Sequence, residues 1–215
     1  MDKEKMRQLA EEAAEKIVPH CLREQLHWPK PPYIHVHKAG VVPYRLGENG
    51  IEYYLFKPSE MMPEMGDPGF QICKGTREIK NPETGEWEDY HSSTKLKEYG
   101  PENLEPLIVT ALREGIEEIG LPLEEIVEVT EWGQAAVASA STGELKTMWL
   151  YPVGVYPDCP FDEPSAEHAN TVAREWFDPQ NRAQVEKIRP DHLKIIREID
   201  RVLRKQLSNE SGLER

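Results

Sequence analysis

Apolar residues recur along this chain with two rhythms, and the switches between them mark its elements. Near the start, Met6, Leu9, Ala10, Ala13, Ala14 and Ile17 fall at three- and four-residue steps between charges, which predicts a helix over 2–17. Pro19 ends it, and a Pro-rich connection follows at Trp28-Pro29-Lys30-Pro31-Pro32. Tyr33–Tyr44 and Ile51–Lys57 then read as strands, joined by the turn signal Gly47-Glu-Asn-Gly50. A short strand is expected at Phe70–Cys73. Residues 79–101 are polar and rich in turn formers, which predicts a surface loop with local order around Trp87 and Tyr90. A helix over roughly 105–119 follows, with Gly120 as its C-terminal cap. Ile126–Trp132, Gln134–Ser139, Lys146–Tyr156 and Val172–Phe177 read as strands, and Cys159–Thr171 as a loop. Helices are expected at Pro179–Ile188 and Pro190–Leu207, the last with a stripe of Ile195, Ile196, Ile199, Val202, Leu203 and Leu207.

Strands, a central helix, more strands and terminal helices predict a mixed α/β layered domain. A length of 215 residues suits one domain over 1–215. Its parts are an N-terminal extension at 1–32, the polar segment at 79–101 and a C-terminal helix at 190–207.

Charge narrows the partners. Lys plus Arg number 26 against 39 Asp plus Glu, a formal net charge of −13. Such a chain repels long nucleic acid and anionic membranes. A divalent cation can still reverse the sign of one site, so phosphate substrates remain open. Cys21, Cys73 and Cys159 are odd in number and show no metal-ligand spacing, so neither a disulfide framework nor a zinc site is expected. With a charged N-terminal stretch that lacks the apolar core of a signal peptide, this points to a cytoplasmic location.

The central helix carries the candidate chemistry. With Glu114 at zero and 100° per residue, Glu118 falls at about 40° and Glu117 at about −60°. Val109, Leu112, Ile116 and Ile119 fall on the far side. One face therefore suits the core and the other gathers three carboxylates. Like charges at i, i+4 destabilise a helix, and the helix dipole disfavours negative charge in its last turns. A solvated acidic face is the plain reading. A magnesium ion, which takes oxygen ligands and bridges carboxylates to phosphates, would relieve both penalties.

Arg113-Glu114-Gly115-Ile116-Glu117-Glu118-Ile119-Gly120-Leu121 resembles the second half of the Nudix box, R-E-U-x-E-E-x-G-U, where U is bulky and apolar. The box also has a glutamate eight residues before the arginine, where Glu105 stands. Its glycine is matched in Gln71-Ile72-Cys73-Lys74-Gly75-Thr76-Arg77-Glu78, similar to the Lys-Gly stretch of many members. Gly75 and Glu105 are 30 residues apart rather than 6, so 79–101 lies within an insertion. Two positions depart from the pattern. Gly115 replaces a bulky apolar residue, and Leu104 stands where a glycine usually precedes the glutamate.

The resemblance implies a Nudix-like α/β/α sandwich with a mixed sheet. It implies magnesium or manganese held by Glu114, Glu117 and Glu118, with the Gly75 carbonyl as a further ligand. Arg113 would orient a glutamate, and Lys74 and Arg77 would contact phosphate. The general base would be Glu114 or a loop glutamate. Glu167 is the loop candidate, in Ser165-Ala166-Glu167-His168, with Glu163 its competitor and an ordinary surface glutamate the alternative. His168 could carry a proton or be simply solvated. His35 and His37 could line a cleft or form a structural pair. Tyr54, Trp132 and Trp149 could stack on a base or belong to the core. Cys73 reads as a small buried residue.

The implied activity is hydrolysis of a pyrophosphate bond in a nucleoside diphosphate linked to a group X. The Ile-Cys-Lys-Gly and Glu-His stretches lean toward dinucleoside polyphosphates or related 5′-phosphorylated compounds. ADP-ribose and other nucleotide sugars are the alternative, and residues 1–32 would then serve a homodimer. A non-catalytic Nudix-fold nucleotide-binding regulator is the second alternative. An acidic-helix interaction protein without metal is the third.

Overall fold

Two apolar runs meet at the centre of the sheet. They are β1 (Lys38–Gly47) and β8 (Leu145–Val155), paired in parallel from Lys38 opposite Met148 to Tyr44 opposite Gly154. The computed structural model describes residues 1–17, 36–48, 50–58, 69–90, 93–138, 145–164 and 171–212. Both faces of these central strands are covered, which is why they are nearly continuous apolar runs. Ala39, Val41, Trp149, Tyr151 and Val153 enter one core cluster, and Val42, Tyr44, Met148 and Leu150 the other.

The remaining strands extend this pair into a seven-stranded mixed sheet. β2 (Gly50–Pro58) is antiparallel to β1 through the hairpin seen in the sequence, with Gly47 opposite Gly50. The other end of β1 carries β3 (Cys73–Thr76), also antiparallel. β6 (Ile126–Val129) and β7 (Gly133–Ala138) both pair with β8, and β9 (Thr171–Phe177) pairs with β2.

Helices lie on both faces. α1 (Lys3–Ile17) buries Met6, Ala10, Ala13 and Ala14, the stripe its periodicity announced. The helix expected over 105–119 begins at Leu107, since Pro106 precedes it in an extended conformation. It runs as α-helix over Leu107–Glu114, called α3 below, and continues as a π-helical turn over Gly115–Ile119. α1 and α3 share the first core cluster. α5 (Pro190–Gly212) covers the opposite face with Ile195, Ile196, Ile199 and Leu203. The helix expected over 179–188 is shorter. Only α4 (Arg182–Val185) forms, capped by the Asn181 side chain, which accepts from the Ala183 and Gln184 amides.

The segment 79–101 is not the loop its composition suggests. β4 (Glu78–Lys80) and β5 (Trp87–Asp89) form a hairpin, and α2 (Ser93–Tyr99) follows. Ile79, Tyr90 and Leu104 make a small core of their own, so order here comes from three apolar residues spread along a polar stretch. Leu104, the departure from the family pattern, bridges to Ile79 and anchors the insertion. No helix among the described residues is long and apolar enough to cross a membrane.

Candidate functional site

The site forms where α3 crosses the end of β3. Glu105 is fully buried and lies just before α3. Its Oε1 accepts from Arg113 Nε at 3.0 Å, and its Oε2 from Arg113 Nη2 at 3.1 Å and Thr110 Oγ1 at 2.9 Å. This bidentate pair fixes the guanidinium plane. Arg113 Nη1 then donates to Glu114 Oε1 at 2.8 Å and Glu117 Oε2 at 3.1 Å, and Nη2 to the Thr76 carbonyl at 3.0 Å. One buried arginine thus ties helix, loop and strand together. The eight-residue spacing to Glu105 is the spacing that permits it.

β3 approaches from the other side. The Lys74 amide donates to Glu118 Oε2 at 3.0 Å, and the Cys73 thiol to the Glu114 carbonyl at 3.2 Å. Gly75 lies against the Glu114 carboxyl group, where a Cβ would stand 1.8 Å from Oε2. Only glycine lets backbone and carboxylate approach so closely. The helix end is equally constrained. Gly120 adopts the left-handed conformation with φ of 67°, and a Cβ there would meet the Asp162 carbonyl at 2.0 Å. At Gly115 a Cβ would stand 3.0 Å from Leu121 Cδ2 and 3.1 Å from Val41 Cγ2, so a tight packing contact replaces the bulky residue of the family pattern.

Electrostatics favour a cation. Burial pushes the Glu114 pKa up, Arg113 pulls it down, and Glu118 and Glu117 raise it further, to about 8. Burial likewise raises Glu118, against the pull of Lys74. Burial also opposes ionisation of Glu105, but Arg113 holds it below the usual carboxylate range. The outcome is one ionised, fully paired carboxylate and a neighbouring group that resists carrying negative charge alone.

The sequence candidates sort accordingly. Arg113, Glu114, Glu117, Glu118, Gly75 and Lys74 come together. Arg77 does not join them as a phosphate contact. It is 1% exposed, its backbone amide donates to His37, and its Nε donates to the Glu105 carbonyl, so it supports the loop from beneath. Glu167, His168, His35 and Cys21 lie outside the described residues. Glu163 is exposed and pairs with Arg174 at 3.2 Å. His37 stacks on Tyr90 of the insertion at 4.8 Å. Trp149 is core, and Tyr54 stacks on Phe161 at 3.9 Å. Cys73 and Cys159 are buried free thiols.

Sequence reasoning missed Arg7. It is 3% exposed on α1, and its Nε donates to Glu105 Oε1 at 3.1 Å. It also pairs with Glu78 of β4 and lies 4.2 Å from the Trp87 ring centroid of β5. The charged N-terminal helix gave no signal beyond one arginine on its apolar side.

Among the described residues no three His, Cys, Asp or Glu side chains stand as a ligand cluster; Arg113 takes Glu114 Oε1 and Glu117 Oε2, and the Lys74 amide takes Glu118 Oε2. The donors still fit magnesium or manganese. They are carboxylate and carbonyl oxygens, crowded, with like charges that repel, beside a glycine that leaves room at Glu114.

No family model matches this sequence, and no curated protein matches it significantly. Solved structures do resemble it. A NUDIX hydrolase from Listeria monocytogenes shares 12% identity, with 79% of this chain and 95% of that one covered and a TM-score of 0.49. A C. elegans Ap4A hydrolase shares 16%, covering 78% and 98%, with a TM-score of 0.48. The NUDIX domain of Shewanella oneidensis NrtR, crystallised with ADP ribose, shares 13%, covering 78% and 88%, with a TM-score of 0.46.

Proposed function

We propose that this protein is a Nudix-type hydrolase that uses magnesium or manganese to cut a pyrophosphate bond in a nucleoside diphosphate linked to X. The observation that carries this reading is the joint held by Arg113. One guanidinium links Glu105 to Glu114 and Glu117, while β3 sets Gly75 against Glu114 and its Lys74 amide donates to Glu118. A merely solvated acidic face needs no such buried partner. Glu114 and Glu117 are 9% and 2% exposed, and that burial is costly without compensating charge.

Glu114, Glu117, Glu118 and the Gly75 carbonyl would hold the metal. When bound, it would draw charge off the phosphate oxygens and lower the pKa of attacking water. Arg113 keeps Glu114 and Glu117 facing the site. Burial raises the Glu118 pKa against the pull of Lys74, so its carboxylate gains from a cation beside it. Lys74, half-buried with its Nζ donating to Gln71 Oε1 at 3.3 Å, is the candidate phosphate contact. Glu167 remains the candidate loop base.

The Ile72-Cys73-Lys74-Gly75 stretch favours a dinucleoside polyphosphate as the substrate over ADP-ribose. A panel of diadenosine tetraphosphate, nucleoside triphosphates and ADP-ribose, assayed with magnesium and with a chelator, tests this. Chelator-sensitive cleavage of diadenosine tetraphosphate is expected. Magnesium binding without cleavage of any compound would favour the regulator. Cleavage that persists in chelator would contradict the metal role.

A further inference from the structure

On the opposite face of the sheet from the box, α5 and the turn before α4 enclose a depression of about 520 Å³. Its lining includes Arg182, Arg197, Arg201 and Arg204, with Asp200 as the one carboxylate. Four guanidinium groups in one hollow are unexpected on a chain with net charge −13. The helix dipole does not account for them, because its pull on cations is confined to the last turn, whereas Arg197, Arg201 and Arg204 lie mid-helix and Arg182 opens α4.

The floor is prearranged. Asp200 is 3% exposed, and it accepts from Tyr53 Oη at 3.2 Å and from Gln180 Nε2 at 3.2 Å. So held, it takes Arg204 Nε at 2.7 Å and fixes the fork of that side chain. Arg204 Nη2 is enclosed beside Gly50 of the β1–β2 hairpin and has no hydrogen-bond partner among the described residues, so this side chain serves to hold Asp200 and the hairpin. Arg197 and Arg201 are exposed, one turn apart on α5, and neither joins an ion pair among the described residues. Like charges at that spacing repel, and an anion between them removes the repulsion. Asp200 is already committed to Arg204, and Arg182 Nε pairs with Glu186 at 3.5 Å, so Arg197 and Arg201 are the two cations left for a ligand.

We propose that this hollow binds a small molecule bearing two or three phosphate groups. Guanidinium forks match phosphate oxygens in pairs, and the volume lies in the usual small-ligand range of about 300–1,000 Å³. The acidic remainder of the surface disfavours a long polyanion and leaves a compact one. The site is independent of the hydrolase reading, since it shares no residue with the box.

Calorimetric titration of the full-length protein with inorganic triphosphate, in chelator and without divalent metal, tests the site. Under those conditions the box carboxylates repel the probe. One binding event is expected. Arg197→Gln with Arg201→Gln, both exposed and so compatible with folding, should weaken it at least tenfold, while Glu118→Gln should leave it unchanged. Binding that is absent, that survives the arginine substitutions, or that follows Glu118 instead would overturn the proposal.

Discussion

Arg7 and Arg113 grip the same carboxylate from two sides, and their removal should have different consequences. Arg7→Gln leaves Glu78 without its buried guanidinium and takes one donor from Glu105. Losing one partner of a buried ion pair costs about 3–5 kcal/mol, so the urea midpoint should fall accordingly. Arg113→Lys keeps the charge but cannot reach Glu105, Glu114 and Glu117 together. Its turnover should fall by about 10–100-fold, as for other groups that orient metal ligands. Normal turnover in Arg113→Lys would mean that the fork has no positioning role. That Arg113, Glu114, Glu117 and Glu105 come together was legible in the sequence, because each stands at a fixed spacing on or just before one helix. Arg7 and the inward turn of Arg77 were not, because burial of a long cation depends on partners far away in the chain.

At the scale of elements, the end of α3 and the start of α5 each make a distinct claim. Gly115→Leu supplies the bulky residue of the box pattern the sequence resembles but places side-chain atoms against Val41 and Leu121, which a Cβ alone would already crowd. Overpacking of this kind costs about 1–3 kcal/mol, and thermal unfolding should show a loss where the family pattern suggests a gain. At α5, His192 Nδ1 accepts the Ile72 amide at 3.0 Å, just before β3. Burial, with Lys74 and Arg189 nearby, lowers its pKa from 6.5 to about 2. The folded state therefore stays neutral while the unfolded chain takes up a proton below about 6.5. Stability is intact above that pH and should fall by about 1.4 kcal/mol for each unit below it. Urea titrations at pH 7 and pH 5 read this slope. His192→Asn, whose amide oxygen can still accept the Ile72 amide, should flatten it, and an unchanged slope would assign the acid sensitivity elsewhere. Strand and helix order could be read from the sequence wherever apolar residues kept period. The insertion could not, because Ile79, Tyr90 and Leu104 become a core only once the hairpin has folded.

Across the whole molecule, two additions meet at the site. α1 supplies Arg7, and the insertion supplies Glu78 and Trp87 to hold it. At a net charge of −13, the anionic substrate proposed above needs a local reversal of sign, which the proposed metal at Glu114, Glu117 and Glu118 would supply. The most direct measurement is turnover of diadenosine tetraphosphate and ADP-ribose with magnesium, comparing the wild-type protein with Glu118→Gln at matched folding by circular dichroism. Hydrolysis by the wild type and a loss of about 100-fold in the variant are expected, the scale of a disturbed metal site. Equal turnover by the two proteins would contradict it.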